Sequence, residues 1–132
     1  MASEAPKRLK FIGCEIIFRE ACALAAASPH RIDLEFLPKG LHDLETQDMH
    51  TTIQNAIDAV NPDDKYDAIL LGYARCNDGV VGLTAGDIPL VIPRAHDCIT
   101  LFFGSRDAYQ EYFNDNPGTY YLTTGWIERG DY

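Results

Sequence analysis

Apolar positions along the chain switch between two periods, and the switches divide it into short elements. Leu-Lys-Phe-Ile-Gly (9–13) predicts a short strand. Glu15 to Ala27 then has helical composition, with Ile17, Ala21, Leu24 and Ala25 on one face. Ser28-Pro29 closes that helix, because a residue before proline is pushed out of the helical region. Arg31 to Leu37 alternates, placing Ile32, Leu34 and Phe36 on one side of a second strand. Pro38-Lys39-Gly40 breaks it. From Thr46 to Val60 the residues Met49, Ile53, Ile57 and Val60 recur at spacings of 4, 4 and 3, an amphipathic helical stripe. Asn61-Pro62-Asp63 stops the stripe.

Between Tyr66 and Tyr73 lies the unbroken run Ala-Ile-Leu-Leu-Gly, the signature of a central parallel strand buried on both faces. A glycine-rich stretch follows from Asn77 to Gly86, then a short apolar strand from Ile88 to Pro93. Cys98 to Phe103 is apolar and predicts a helix. Ser105 reads as the N-cap of another helix through Phe113, with Tyr109 and Tyr112 facing inward. Asn116-Pro117-Gly118 predicts a turn, and Thr119 to Thr124 a last strand. Strands alternating with helices specify an α/β three-layer sandwich with a mainly parallel sheet, flavodoxin-like or Rossmann-like. The first choice of strand order is 2-1-3-4-5. One domain over residues 1–132 is expected.

Composition agrees with a globular chain: 46% hydrophobic and 23% charged residues over 132 positions. Twenty acidic against eleven basic residues give a net charge of −9. That argues against nucleic acid as the partner, since phosphate neutralisation needs a basic face. No stretch reaches the ~20 apolar residues of a bilayer span, so no membrane partner is expected. The first ten residues lack the apolar core of a secretory signal, so a cytoplasmic location is expected. In that reducing compartment the four cysteines are expected to be core residues, metal ligands or reactive thiols rather than disulfides.

Ligands in an open α/β sheet bind at the carboxyl ends of the strands. Cys14 follows the first predicted strand, Cys76 the third, and His96 and Cys98 the fourth. In the expected order these strands are neighbours, ~4.8 Å apart, so residues just past their ends can converge. Thiolate and imidazole are natural zinc ligands, and three thiolates with an open corner would also suit an iron–sulfur cluster. His42, in Gly-Leu-His-Asp, lies on the same rim one strand further out, as a ligand or proton carrier. Asp43 and Asp97 could orient neighbouring imidazoles. Cys22 lies inside the first helix and reads as structural. His30 and His50 are expected to be solvated. The Asn77-to-Gly82 stretch matches no phosphate-loop fingerprint, and turn chemistry is the preferred reading of its glycines. Arg75, Asn77, Gly79 and Arg94 remain candidates for holding a carboxylate or phosphate. Glu15 and Arg19 are spaced for an i,i+4 ion pair. Tyr120, Tyr121 and Trp126 are expected to cover the sheet edge or an interface, which leaves a homo-oligomer open.

Several blocks resemble the family known as domain of unknown function 1638. They are Tyr-Asp-Ala-Ile-Leu-Leu-Gly-Tyr (66–73) with Cys76 and Asn77, Ile-Pro-Arg-Ala-His-Asp-Cys-Ile-Thr (92–100) with Gly104-Ser105-Arg106, and Pro-Gly-Thr-Tyr-Tyr (117–121) with Gly125-Trp126-Ile127-Glu128. Gly-Leu-His-Asp (40–43) and Cys14-Glu15 fit as well. The resemblance implies a bacterial or archaeal protein, found in some cases alongside corrinoid-dependent methyl-transfer genes, with no activity attached. The Ala-Arg-Cys-Asn-Asp-Gly loop (74–79) is less glycine-rich than in relatives. The chain also ends soon after Trp126 where relatives continue, so a short member or a part of the active unit is expected.

Three functions compete. The first is a metal-dependent enzyme or accessory factor in methyl or thiol transfer, acting on a small-molecule substrate or with corrinoid-linked methyl-transfer proteins. The second is a non-catalytic module binding a corrinoid, a nucleotide or a partner, although the Asp-x-His-x-x-Gly pattern of corrinoid domains is absent. The third is redox or nucleophilic chemistry by Cys76 or Cys98, with His96 lowering the thiol pKa.

Overall fold

The computed structural model describes residues 5–38, 46–74, 79–95, 98–119 and 121–129; of Thr46, Cys98, Arg106 and Arg129 it describes the backbone. The elements are β1 (Arg8–Cys14), a 3-10 turn (Glu15–Ile17), α1 (Phe18–Ala27), β2 (Arg31–Leu37), α2 (Thr46–Asp58), a 3-10 turn (Pro62–Asp64), β3 (Ala68–Gly72), β4 (Leu90–Val91), α3 (Cys98–Phe103), α4 (Arg106–Asp115) and α5 (Thr124–Arg129). Among the described residues the four strands form one sheet in the order β2-β1-β3-β4. Every pairing is parallel: Arg8↔Arg31 to Cys14↔Leu37, Leu9↔Ala68 to Gly13↔Gly72, and Ile69↔Leu90 with Leu70↔Val91. The protein is therefore an α/β fold with β1 and β3 at the sheet's centre.

Alternation along β1 decides what each face carries. Ile12 and Cys14 point to one face, with Ile69, Leu71 and Tyr73 continuing it along β3. The α2 stripe covers that face: Met49 and Ile53 are fully buried and Ile57 nearly so. Burying each such side chain contributes roughly 1.5–3 kcal/mol, so this layer is the main core. Phe11 and Gly13 point the other way, towards α1. There the Phe36 ring lies tilted at 5.7 Å from Phe11 and 4.9 Å from Phe18. Helices thus lie on opposite faces.

Local chemistry sets the ends. Ser28 is extended (ψ 143°) before Pro29 and terminates α1. The Asn61 side chain accepts from the Asp63 N–H, and Lys65 closes that turn at φ 55°, in the left-handed region. Ser105 caps α4 by accepting from the Ala108 N–H at 2.9 Å. No helix among the described residues is long and apolar enough to cross a membrane.

Four sequence expectations change. The fifth strand at Thr119–Thr124 is absent among the described residues: Thr119 donates back to the Asn116 carbonyl, and α5 begins at Thr124. The physical reason is Gly125, on which a Cβ would overlap the Ile16 carbonyl oxygen. α5 is seated on the turn after β1. Leu24, placed on the buried face of the first helix, is 72% exposed. Tyr112, expected inward, is 41% exposed, although its ring meets Phe103 at 5.5 Å. Arg19 pairs with Glu128 on α5 at 2.6 Å, a distant partner that the spacing along the chain does not predict.

Candidate functional site

The carboxyl rim is built where β1 and β3 leave the sheet. Cys14 is the last residue of β1 and is 1% exposed. Gly13 pairs with Gly72, so the next residues, Cys14 and Tyr73, leave the sheet side by side. Tyr73 and Ala74 are each 1% exposed. Gly79 is buried, and a Cβ there would come within 2.6 Å of the Met49 sulfur. Close approach to α2 therefore accounts for this glycine. The Gly79 carbonyl oxygen lies 3.2 Å from His50 Nδ1 and accepts from it in the Nδ1–H tautomer.

The other rim residues follow β4. Arg94 is exposed. Cys98 opens α3, in which Thr100 is a buried polar residue at 6% exposure. Neither Thr100 nor Tyr73 was among the candidate site residues of the sequence. The signal for Thr100 was a lone hydroxyl inside the apolar run Cys-Ile-Thr-Leu-Phe-Phe.

Of the predicted metal ligands, Cys14 has a described side chain. Cys76, His96 and His42 lie outside the described residues, as do Arg75 and Asn77, and of Cys98 the backbone alone is described. Among the described residues no group of three or more His, Cys, Asp or Glu stands together to hold a metal ion. Cys22 is half-buried in α1. His30, expected in solvent, is half-buried, and its Nδ1 accepts from the Lys7 N–H at 2.9 Å. His50 is half-buried too.

A separate charged network sits at the opposite, amino-terminal edge of the sheet. Asp33 accepts from the Tyr66 hydroxyl at 2.6 Å and pairs with Arg8 at 3.5 Å and Arg31 at 3.4 Å. The Arg8 guanidinium lies 4.8 Å above the Tyr66 ring and donates to the Asp64 carbonyl at 2.7 Å. The Tyr66 hydroxyl, then the two arginines, hold the Asp33 carboxyl below its ordinary pKa, against the opposing pull of burial. The same hydrogen bond, with burial, raises the Tyr66 pKa. These contacts join β1, β2 and the turn before β3, while Arg8 Nε is shielded with no hydrogen-bond partner among the described residues. The network is structural.

No curated protein and no solved structure matches this chain. A family model described as "Protein of unknown function (DUF1638)" matches residues 36–132, and the chain belongs to that family.

Proposed function

We propose that the chain is a metal-binding protein, with zinc held at the carboxyl rim by Cys14, Cys76, Cys98 and His96. It would serve as an enzyme or accessory factor in methyl or thiol transfer. The observation that carries this reading is the placement of Cys14 beside Tyr73, at the seam of β1 and β3. The segment bearing Cys76 begins two residues after Tyr73, and Cys98 opens the helix that follows β4. Parallel order puts all three departures on one edge. The donor set fits zinc: thiolate and imidazole are its usual ligands, and a thiolate is ionised by the metal it binds. A bound zinc would supply a Lewis acid able to keep a thiol substrate as its thiolate. Cys14, buried beneath the rim, would fix the ion against the sheet, and His96 would complete the set or carry a proton. His42 would stand further out.

The experiment is elemental analysis of the chain purified without added metal. One zinc per chain, lost in Cys76→Ser and Cys98→Ser and retained in Cys22→Ser, is the expected result. Iron with visible absorption would move the same ligands to an iron–sulfur cluster. Metal-free protein would overturn the reading and favour thiol chemistry.

A further inference from the structure

A groove of about 440 Å³ opens between α1 and α3, over the seam of β1 and β3. It lies on the sheet face opposite α2, and its volume falls in the usual range for small-molecule sites, roughly 300–1,000 Å³. The Phe11 ring and the Gly72 backbone form the floor, with Ile17, Ala21 and Leu24 on one wall and Phe102 on the other. A Cβ at Gly72 would overlap the Phe11 ring, and one at Gly13 would come 2.5 Å from it. Glycine at both positions lets the ring lie flat on the backbone and keeps the groove open.

One charged residue interrupts this apolar lining. Glu20, in the first turn of α1, borders the groove, and its Oε2 is shielded from solvent with no hydrogen-bond donor among the described residues. Shielding a carboxylate oxygen without a partner is unfavourable, because lost hydration is not replaced. The adjacent cation, Arg19, is engaged with Glu128. Phe11 and Phe102 add aromatic rings, whose faces attract cations. A chain of net charge −9 also disfavours an anionic occupant.

We propose that this groove binds a small organic cation, an alkylammonium whose chain lies on Phe11 and whose nitrogen sits beside Glu20. The site shares no residue with the metal ligands, so it stands or falls independently of them.

The test is an NMR titration of the whole chain with n-hexylammonium, 1-hexanol and hexanoate, matched in chain length and differing in head-group charge. Saturable shifts at Phe11, Leu24 and Phe102 are expected, with hexylammonium bound about tenfold more tightly than hexanol and hexanoate weakest. The near-isosteric Glu20→Gln should bring hexylammonium to the affinity of hexanol and leave hexanol unchanged. Leu24→Ala, at an exposed wall position, should weaken both ligands by the same factor. Equal binding of ammonium and alcohol by the native chain, or preference for hexanoate, would overturn the proposal. So would shifts that do not saturate, or affinities indifferent to Leu24.

Discussion

Gly125 in α5 meets the backbone carbonyl of Ile16 so closely that a Cβ at position 125 would overlap that oxygen. Ile16 is fully buried in the turn after β1, and Trp126 packs on the edge of the same core. Gly125→Ala should therefore push α5 away and destabilise the fold by about 1–3 kcal/mol, the usual range for overpacking. Urea unfolding would measure it. An unchanged midpoint would show that α5 is not seated on that turn.

The Asp33–Tyr66 hydrogen bond sets two limbs of a pH profile. The Asp33 pKa is lower in the fold than its ordinary value. Its contribution is thus complete above about pH 4 and lost as pH falls through the folded value. The Tyr66 pKa is raised. Its contribution is complete below about pH 10 and lost as pH rises through the folded value. Tyr66→Phe keeps the ring beneath Arg8 and should cost about 1–2 kcal/mol at neutral pH. Thermal melts across pH should also show both limbs flattened in that variant and in Asp33→Asn, because the Asp33 carboxylate is the main cause of the raised Tyr66 pKa.

Two helices with similar apolar stripes should respond differently to truncation. Ile53 in α2 is fully buried, and Ile53→Ala should cost about 2–4 kcal/mol through lost burial and a cavity. Leu24 in α1 is 72% exposed, and Leu24→Ala should change stability by under ~0.5 kcal/mol. Denaturant midpoints of the pair would reveal any error in which stripe faces the core.

Metal removal gives a prediction specific to the rim. A ligand that binds the folded chain alone adds stability in proportion to the logarithm of its concentration over its dissociation constant. A chelator should lower the melting temperature of the native chain, and added zinc should restore it. Cys98→Ser should be insensitive to both, whereas Cys22→Ser should behave as the native chain. Chelator-independent melting of the native protein would contradict a structural metal.

Much of the architecture was legible without coordinates, because the relevant signals are local. The Ala-Ile-Leu-Leu-Gly run, the Met49–Ile53–Ile57 stripe, the Ser28-Pro29 stop and the Ser105 cap each act over a few residues. Parallel order then placed Cys14 at the rim with no help from side-chain packing. The last segment misled, since Thr-Tyr-Tyr-Leu-Thr has every local preference of a strand.

The division between the two kinds of information follows range. The sequence by itself determined the α/β class, the central strand, the covered face under α2 and the edge on which Cys14 stands, all of which follow from period and order. Only the tertiary structure decided that Gly125 docks on Ile16, that Arg19 pairs with Glu128, and that Glu20 borders an apolar groove with its Oε2 lacking a hydrogen-bond donor among the described residues. Those facts depend on contacts between residues scores of positions apart, and no spacing along the chain encodes which distant backbone or charge will arrive.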